Sequence, residues 1–220
     1  MFYLEETLTP IIAMPKTIEA FIRFAEEKMV PLYEANGATL MASWYCNSKT
    51  LFQITQTWEL NSFDVFTNFF SWAKNGTDWQ TLNRELRTLM PQRQIRLLET
   101  ANDFFSNAFH TAIYESRTQP IKTYTKAVLQ MNTELMEGFI SRQEEGIRSG
   151  LPMISFMCSV TGKSNEVIDI WKGNLQEPGY QKQEFYDTVG MTEDWWHWIR
   201  ANGPQERMVP VFTLPYSPLQ

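Results

Sequence analysis

Cysteine and histidine are scarce in this chain, two of each in 220 residues: Cys46, Cys158, His110 and His197. Two cysteines cannot form a disulfide framework, and these few side chains have no metal-ligand spacing, so no metal site is expected. Long apolar runs are also missing, none nearing the ~20 residues of a membrane helix. The opening Met1-Phe2-Tyr3-Leu4-Glu5-Glu6 lacks the basic and apolar regions of a secretory signal. The expectation is a cytoplasmic protein with no membrane partner. Basic residues number 19 against 25 acidic ones, a net charge of −6, the wrong sign for gripping phosphates, so nucleic acid is not expected as a partner. A glycine-rich phosphate loop, a nucleophile elbow and a His-x-x-x-His pattern are absent as well, which removes the residues of nucleotide, acyl-enzyme and metal chemistry.

What the chain has is apolar bulk, 43% hydrophobic and 14% aromatic, enough for a sizeable core without disulfides. It also has an internal echo. Ser43-Trp44-Tyr45-Cys46 returns as Ser155-Phe156-Met157-Cys158 at an offset of 112, and Trp58 returns as Trp171 at 113. Tyr3 and Thr7 answer to Tyr114 and Thr118 at 111, and Pro91-Gln92 to Pro204-Gln205 at 113. Order and spacing imply a tandem duplication, with residues 1–100 as one unit, 101–109 as a linker and 110–220 as a second unit.

Within each half the periods read strand, helix, strand, strand, helix, strand. In the first half Ile18, Phe21, Ile22, Ala25 and Met29 mark one helical face, which Pro31 should end or kink. Strands are expected over 3–9, 39–46, 51–58 and 94–99, with two short helices, 63–72 and 79–90, interrupted at Asn75-Gly76. In the second half the strands fall at 113–118, 153–159, 166–171 and 208–213, with a first helix through Val128, Met131, Leu135 and Phe139. A β-α-β-β-α-β unit covers one sheet face with helices and leaves the other apolar. The fold class expected is therefore α+β: two ferredoxin-like units packed sheet to sheet into an α+β barrel. The second unit would be the first one's partner, giving a monomer or a weak homodimer.

The residues resemble the NIPSNAP-like family of the dimeric α+β barrel superfamily. The family's first strand is matched by Tyr114-Glu115-Ser116-Arg117-Thr118, and less fully by Tyr3-Leu4-Glu5-Glu6-Thr7. Its first helix end is matched by Pro31-Leu32-Tyr33-Glu34-Ala35-Asn36-Gly37, and its paired tryptophans by Trp44 and Trp58. Asn165-Glu166-Val167-Ile168-Asp169-Ile170-Trp171 and the helix opened by Asp78-Trp79-Gln80 complete the resemblance. It implies the ferredoxin-like fold but carries no settled reaction. Other branches of the superfamily include cofactor-free monooxygenases, isomerases, cyclases and haem enzymes.

Alternate strand residues share a face, so Asp169 lies with Val167 and Trp171 on an apolar face, where the family usually has histidine. Arg117, on the neighbouring first strand, should meet it, as a sheet ion pair or as a pocket acid with an anion clamp. His197 lies in the densest aromatic cluster, with Trp195 and Trp198, on a helix expected to close the cleft; it is a candidate general base. Tyr45, whose counterpart is Met157, would polarise the other cleft. Asp169, Arg117, His197 and Tyr45 are thus the catalytic candidates, and Trp171, Tyr114, Trp195 and Trp198 the substrate-binding ones. Chemistry is expected in the second half, on a small apolar or aromatic molecule, by proton transfer or cofactor-independent oxygenation or isomerisation. No cofactor is called for, with haem on a lone His or Cys as a variant. The rival reading is a non-catalytic module for a hydrophobic ligand or protein partner, and filled clefts would favour it.

Overall fold

The first strand, Phe2–Thr9, is buried at four consecutive positions, 3–6, so side chains on both of its faces are covered. The computed structural model describes residues 1–48, 51–175, 197–198 and 205–220. They divide into two units, Met1–Leu98 with Phe212–Gln220, and Glu99–Val211. The fold class is α+β.

In the first unit the elements are β1 (Phe2–Thr9), α1 (Pro15–Phe24), α2 (Val30–Ala35), β2 (Ala38–Ser48), β3 (Leu51–Leu60), α3 (Phe63–Asn75), α4 (Thr77–Leu89) and β4 (Gln92–Thr100). The strand order is β4-β1-β3-β2, with β3 antiparallel to β1 and β2. Leu4, Leu8, Ile54 and Trp58 turn to the helices and pack with Phe21, Met29, Tyr33 and Phe69, all at most 1% exposed. Burying each such side chain stabilises the fold by ~1.5–3 kcal/mol. Pro31 does not end the helix. Residues Ala25–Met29 form a π-helical turn between α1 and α2, and this wider turn gives Pro31, which has no N–H for the preceding carbonyl, room inside a continuing helix. The interruption at Asn75-Gly76 is present: α3 is capped by Ser62 Oγ, which accepts from Val65 N (3.2 Å), and Asp78 accepts from Trp79 N (2.8 Å) as α4 begins.

The second unit contains α5 (Asp103–Ser116), β5 (Thr123–Gln130), α6 (Met136–Arg148), β6 (Met153–Ser159), β7 (Glu166–Lys172) and β8 (Gln205–Thr213). Its strand order is β8-β5-β7-β6. Two expectations fail here. Residues 113–118 are not a strand but the end of α5 and its cap, and the stretch read as a linker holds the helix's first half. Asn102 caps that helix by accepting from Phe104 N and Phe105 N (3.0 and 3.4 Å), and Phe105, Phe109, Ala112, Ile113 and Ser116 form its buried stripe. The unit's first strand is β5, in the stretch read as a helix; the spacing of Val128, Met131, Leu135 and Phe139 crosses a strand, a turn, a 3-10 segment and α6.

β5 repeats the burial pattern of β1 residue for residue. Leu4 stands opposite Trp58 and Thr125 opposite Trp171, so the two tryptophans hold equivalent positions. A register shift after Leu40 in β2 returns after Met153 in β6. The cysteines do not correspond: Tyr45 faces Ile54 as Cys158 faces Val167, while Cys46 faces Gln53. The counterpart of Tyr45 is therefore Cys158, not Met157, and a slip of one residue moves a strand side chain to the other face.

Candidate functional site

The helix side of the first sheet is apolar except at a few points, and those points converge. β1 places Glu6 among Leu4 and Leu8, β4 contributes Arg93, and α2 brings Tyr33 down from above. Glu6 is fully buried, and Arg93 donates from Nε to its carboxylate. Arg93 Nη2 donates to Tyr33 OH at 3.2 Å, and the phenol lies 3.5 Å from the second Glu6 oxygen. The guanidinium sits 4.8 Å from the Trp79 ring centre, a cation–π contact. Tyr33 is itself packed among Trp58, Phe69 and Trp79, with ring centres 4.5, 5.1 and 5.6 Å away. Burial pushes the Tyr33 phenol well above its ordinary value, and the Glu6 charge adds to the shift. Burial also opposes the charge on Arg93, but Glu6 and Tyr33 outweigh it and raise the guanidinium further. Arg93 is thus a fixed cation.

A second polar layer adjoins the first. Glu6 faces Gln56 across the sheet, and Gln56 Nε2 donates to Tyr216 OH at 2.8 Å. Ser43 Oγ donates to the same phenol oxygen (2.9 Å), while Ser43 N donates to Ser217 Oγ (2.9 Å) and Leu214 N to Ser43 O (2.9 Å). Residues 214–217 are clipped onto β2 by these bonds. Burial holds the Tyr216 phenol far above its ordinary value.

A cavity of ≈410 Å³ opens beside Arg93. One wall is the α4 stripe Asn83, Leu86, Arg87 and Met90, spaced three and four apart so that all face one way; beyond Pro91 the other wall is Arg93 and Ile95 from β4. Leu86 and Met90 are fully buried at its floor. Among the described residues no acidic side chain lines it.

In the second unit the equivalent face differs. Asp169 is 2% exposed on β7, opposite Ala127, and accepts a hydrogen bond from Trp171 Nε1 at 2.8 Å. Burial raises its carboxyl well above the usual range; the Trp171 bond works against this and the charge of Glu206 adds to it. Glu206 stands in β8 where Arg93 stands in β4, one residue after the opening glutamine. Where the first unit has Glu6, Gln56 and Arg93, the second has Ala127, Asp169 and Glu206.

The expected clamp on Asp169 does not form. Arg117 is exposed at the C-cap of α5, not on a strand, and Asp169 has no ion pair among the described residues. Tyr114 is 73% exposed on the same helix. Trp171 is buried beside Asp169 as anticipated. His197 is exposed, Trp198 stacks on Phe139 at 5.9 Å with Arg142 over its ring at 5.4 Å, and Trp195 lies outside the described residues. Tyr45, half-buried in the first unit, packs between Phe52 and Phe212 (5.9 and 5.3 Å). The Cys158 thiol is pushed up to about 11 by burial and by Glu99. Asp169 and Trp171 are the two candidates that a hydrogen bond among the described residues brings together. The cluster of Glu6, Tyr33 and Arg93 was missed; Glu6 interrupting the Leu4, Leu8 face was its one sequence signal.

Among the described residues no helix is long and apolar enough to cross a membrane. No protein-family model matches the chain, and no curated protein matches it. Solved structures do. A putative monooxygenase from Fusobacterium nucleatum aligns over 97% of this chain and 92% of its own, with a TM-score of 0.59 and 8% identity. A putative monooxygenase from Lactobacillus acidophilus aligns over 96% and 92%, with a TM-score of 0.54 and 11% identity. An anthrone oxidase-like protein aligns over 100% and 94%, with a TM-score of 0.51 and 11% identity. At such identities the likeness is one of fold: the ferredoxin-like α+β barrel class.

Proposed function

We propose that this chain is a small-molecule enzyme of the α+β barrel type, acting on an apolar or aromatic substrate, with its reacting centre at Arg93 in the first unit. One observation carries the reading: Arg93 is held by Glu6, Tyr33 and Trp79 while also lining a cavity of ≈410 Å³. A cation fixed before the substrate arrives stabilises charge developing on a substrate oxygen without reorganising. Arg93 would hold a phenol or an enolisable carbonyl in its anionic form, the proton passing to water at the open mouth of the cavity. The resulting phenolate or enolate is electron-rich, the species needed for cofactor-independent oxygenation or for reprotonation at another carbon. The monooxygenase and anthrone oxidase names among the fold neighbours are in keeping with this chemistry. Glu6 and Tyr33 act through Arg93 as positioning residues.

We also read the two units as copies of one ancestral unit, supported by the matching burial of β1 and β5 and the equivalent tryptophans. The finer NIPSNAP-like assignment rests on the Trp44 to Trp58 spacing and on the stretch ending in Trp171; it loses the motif at Tyr114–Thr118, which is helical or part of a turn.

The test is the ionisation of a chromogenic phenol, 4-nitrophenol, added to the protein. Its pKa should fall by about one unit when bound, and Arg93→Leu should abolish the shift. An unshifted pKa in saturating protein would overturn the reading. The second reading, a non-catalytic binding module, is favoured by Trp58, Phe69, Trp72 and Trp79 filling the space around Tyr33. Under it the phenol binds with no shift and no turnover.

A further inference from the structure

The cavity beside Arg93 carries a second cation. Arg87 lies on the α4 stripe, exposed, and has no hydrogen-bond or ion-pair partner among the described residues. Arg93 spends Nε on Glu6 and Nη2 on Tyr33, which leaves its Nη1 end without a partner among the described residues. The charge of Arg93 is balanced by Glu6, whereas that of Arg87 is not. Among the described residues no carboxylate lines the cavity, although the chain as a whole has a net charge of −6. The rest of the lining is Asn83 together with the apolar Leu86, Met90, Pro91 and Ile95, of which Leu86 and Met90 are fully buried and Ile95 is 38% exposed at the rim. Two guanidiniums beside Pro91 and the half-exposed Ile95, with no acid among the described lining residues, describe a receptor for an amphiphilic anion, because a guanidinium offers a fork of N–H donors that matches a carboxylate and the apolar side chains shield part of the attached hydrocarbon from water.

We propose that the substrate of this site is a carboxylate, a planar apolar body bearing a permanent negative charge that pairs with Arg87 while its reacting oxygen meets Arg93. This deepens the reading of Arg93 as the reacting centre and rests on it for the second half of that statement alone. Arg87 is the specificity residue. It selects acids over their neutral analogues and fixes which end of the molecule reaches Arg93. Asn83, one turn earlier on the same stripe, has an amide able to donate to the carboxylate's second oxygen.

The probes are 2-naphthoate and its neutral amide, titrated into the full chain and followed by calorimetry, with tryptophan fluorescence as a second signal because Trp79 lies against Arg93. The acid should bind about tenfold more tightly than the amide, with the preference shrinking as salt is added. Arg87→Gln should reduce the acid's affinity about tenfold, leave the amide's unchanged and leave the unfolding midpoint near that of the parent, since the side chain is exposed. Ile95→Glu supplies an independent arm: a carboxylate at the rim should repel the acid and spare the amide. Equal affinity for acid and amide, or an acid affinity indifferent to both substitutions, would overturn the proposal. Charge-selective binding together with an unshifted nitrophenol pKa would overturn only the Arg93 chemistry and leave the carboxylate site standing.

Discussion

Trp171 donates its indole N–H to Asp169 at 2.8 Å, whereas Trp58, at the equivalent position, has no partner for its indole nitrogen among the described residues. Gln56 has turned its amide to Tyr216, and its own Oε1 is unpartnered and buried. The first unit leaves two buried polar atoms unpaired where the second pairs them. What it gains is a cross-strand neighbour for Glu6 that carries no charge.

That neutrality is needed. Gln56→Glu places a carboxylate directly across from Glu6 and removes the donor to Tyr216. A loss of ~1–3 kcal/mol at neutral pH is expected, from like charges opposed in a sheet and a lost buried bond. Urea unfolding measures it, and the loss should shrink in acid, where the carboxylates take up protons.

Asp169→Asn tests the acid of the second unit. The folded carboxyl is raised above its unfolded value, so its favourable contribution is complete below the unfolded pKa and is lost as pH rises through the folded one. Parent stability should therefore decline from acid toward neutral pH, and the variant should decline less. Thermal unfolding across that window should place the variant above the parent at neutral pH, by at least ~1 kcal/mol.

Three of the eight tyrosines, Tyr33, Tyr124 and Tyr216, should resist ionisation in the folded chain. Burial pushes Tyr124 up to about 12 and the other two are also displaced upward. A phenolate absorbance titration should show these three ionising above the ordinary phenol value of about 10, and together with unfolding for the deepest. Their raised values mean that stability is lost as pH climbs above the ordinary phenol value of about 10.

Arg93→Leu leaves Glu6 buried without its cation. A penalty of ~3–5 kcal/mol is expected. Adding Glu6→Gln to that variant should recover a large part of it, and a double-mutant cycle by chemical denaturation measures the coupling.

Much of the fold was legible because strand residues repeat every second position. The strands of the first half, the break at Gly76 and the equivalence of Trp58 with Trp171 all follow from pattern. The second half went astray at one place. Tyr114-Glu115-Ser116-Arg117-Thr118 has the composition of a strand and lies at a suggestive offset, yet Asn102 starts a helix twelve residues earlier that runs through it to Ser116. A strand there would place Arg117 beside Asp169 and leave the β5 stretch to a helix, which is the arrangement the sequence pattern predicts. The cluster at Arg93 was harder to see. Its members come from β1, α2 and β4, separated by up to 87 positions, and nothing local couples Glu6 to Arg93. Arg93 also differs from its counterpart Glu206, so matching one half to the other offers no guide.

The bonds that clip residues 214–217 to Ser43 and Gln56 have a consequence for how the chain is made. A ribosome releases Ser43 and Gln56 early, but the residues that satisfy them belong to a segment that follows the whole second unit. The 113 residues from Glu99 to Val211 intervene; at ~5–20 residues per second their synthesis takes roughly 6–20 seconds. During that interval the first unit waits with β2 lacking its last strand neighbours and Gln56 lacking its phenol. Its completion is timed by translation of the other unit, so a stall within residues 99–211 would hold back the folding of a unit whose own first 98 residues are already made.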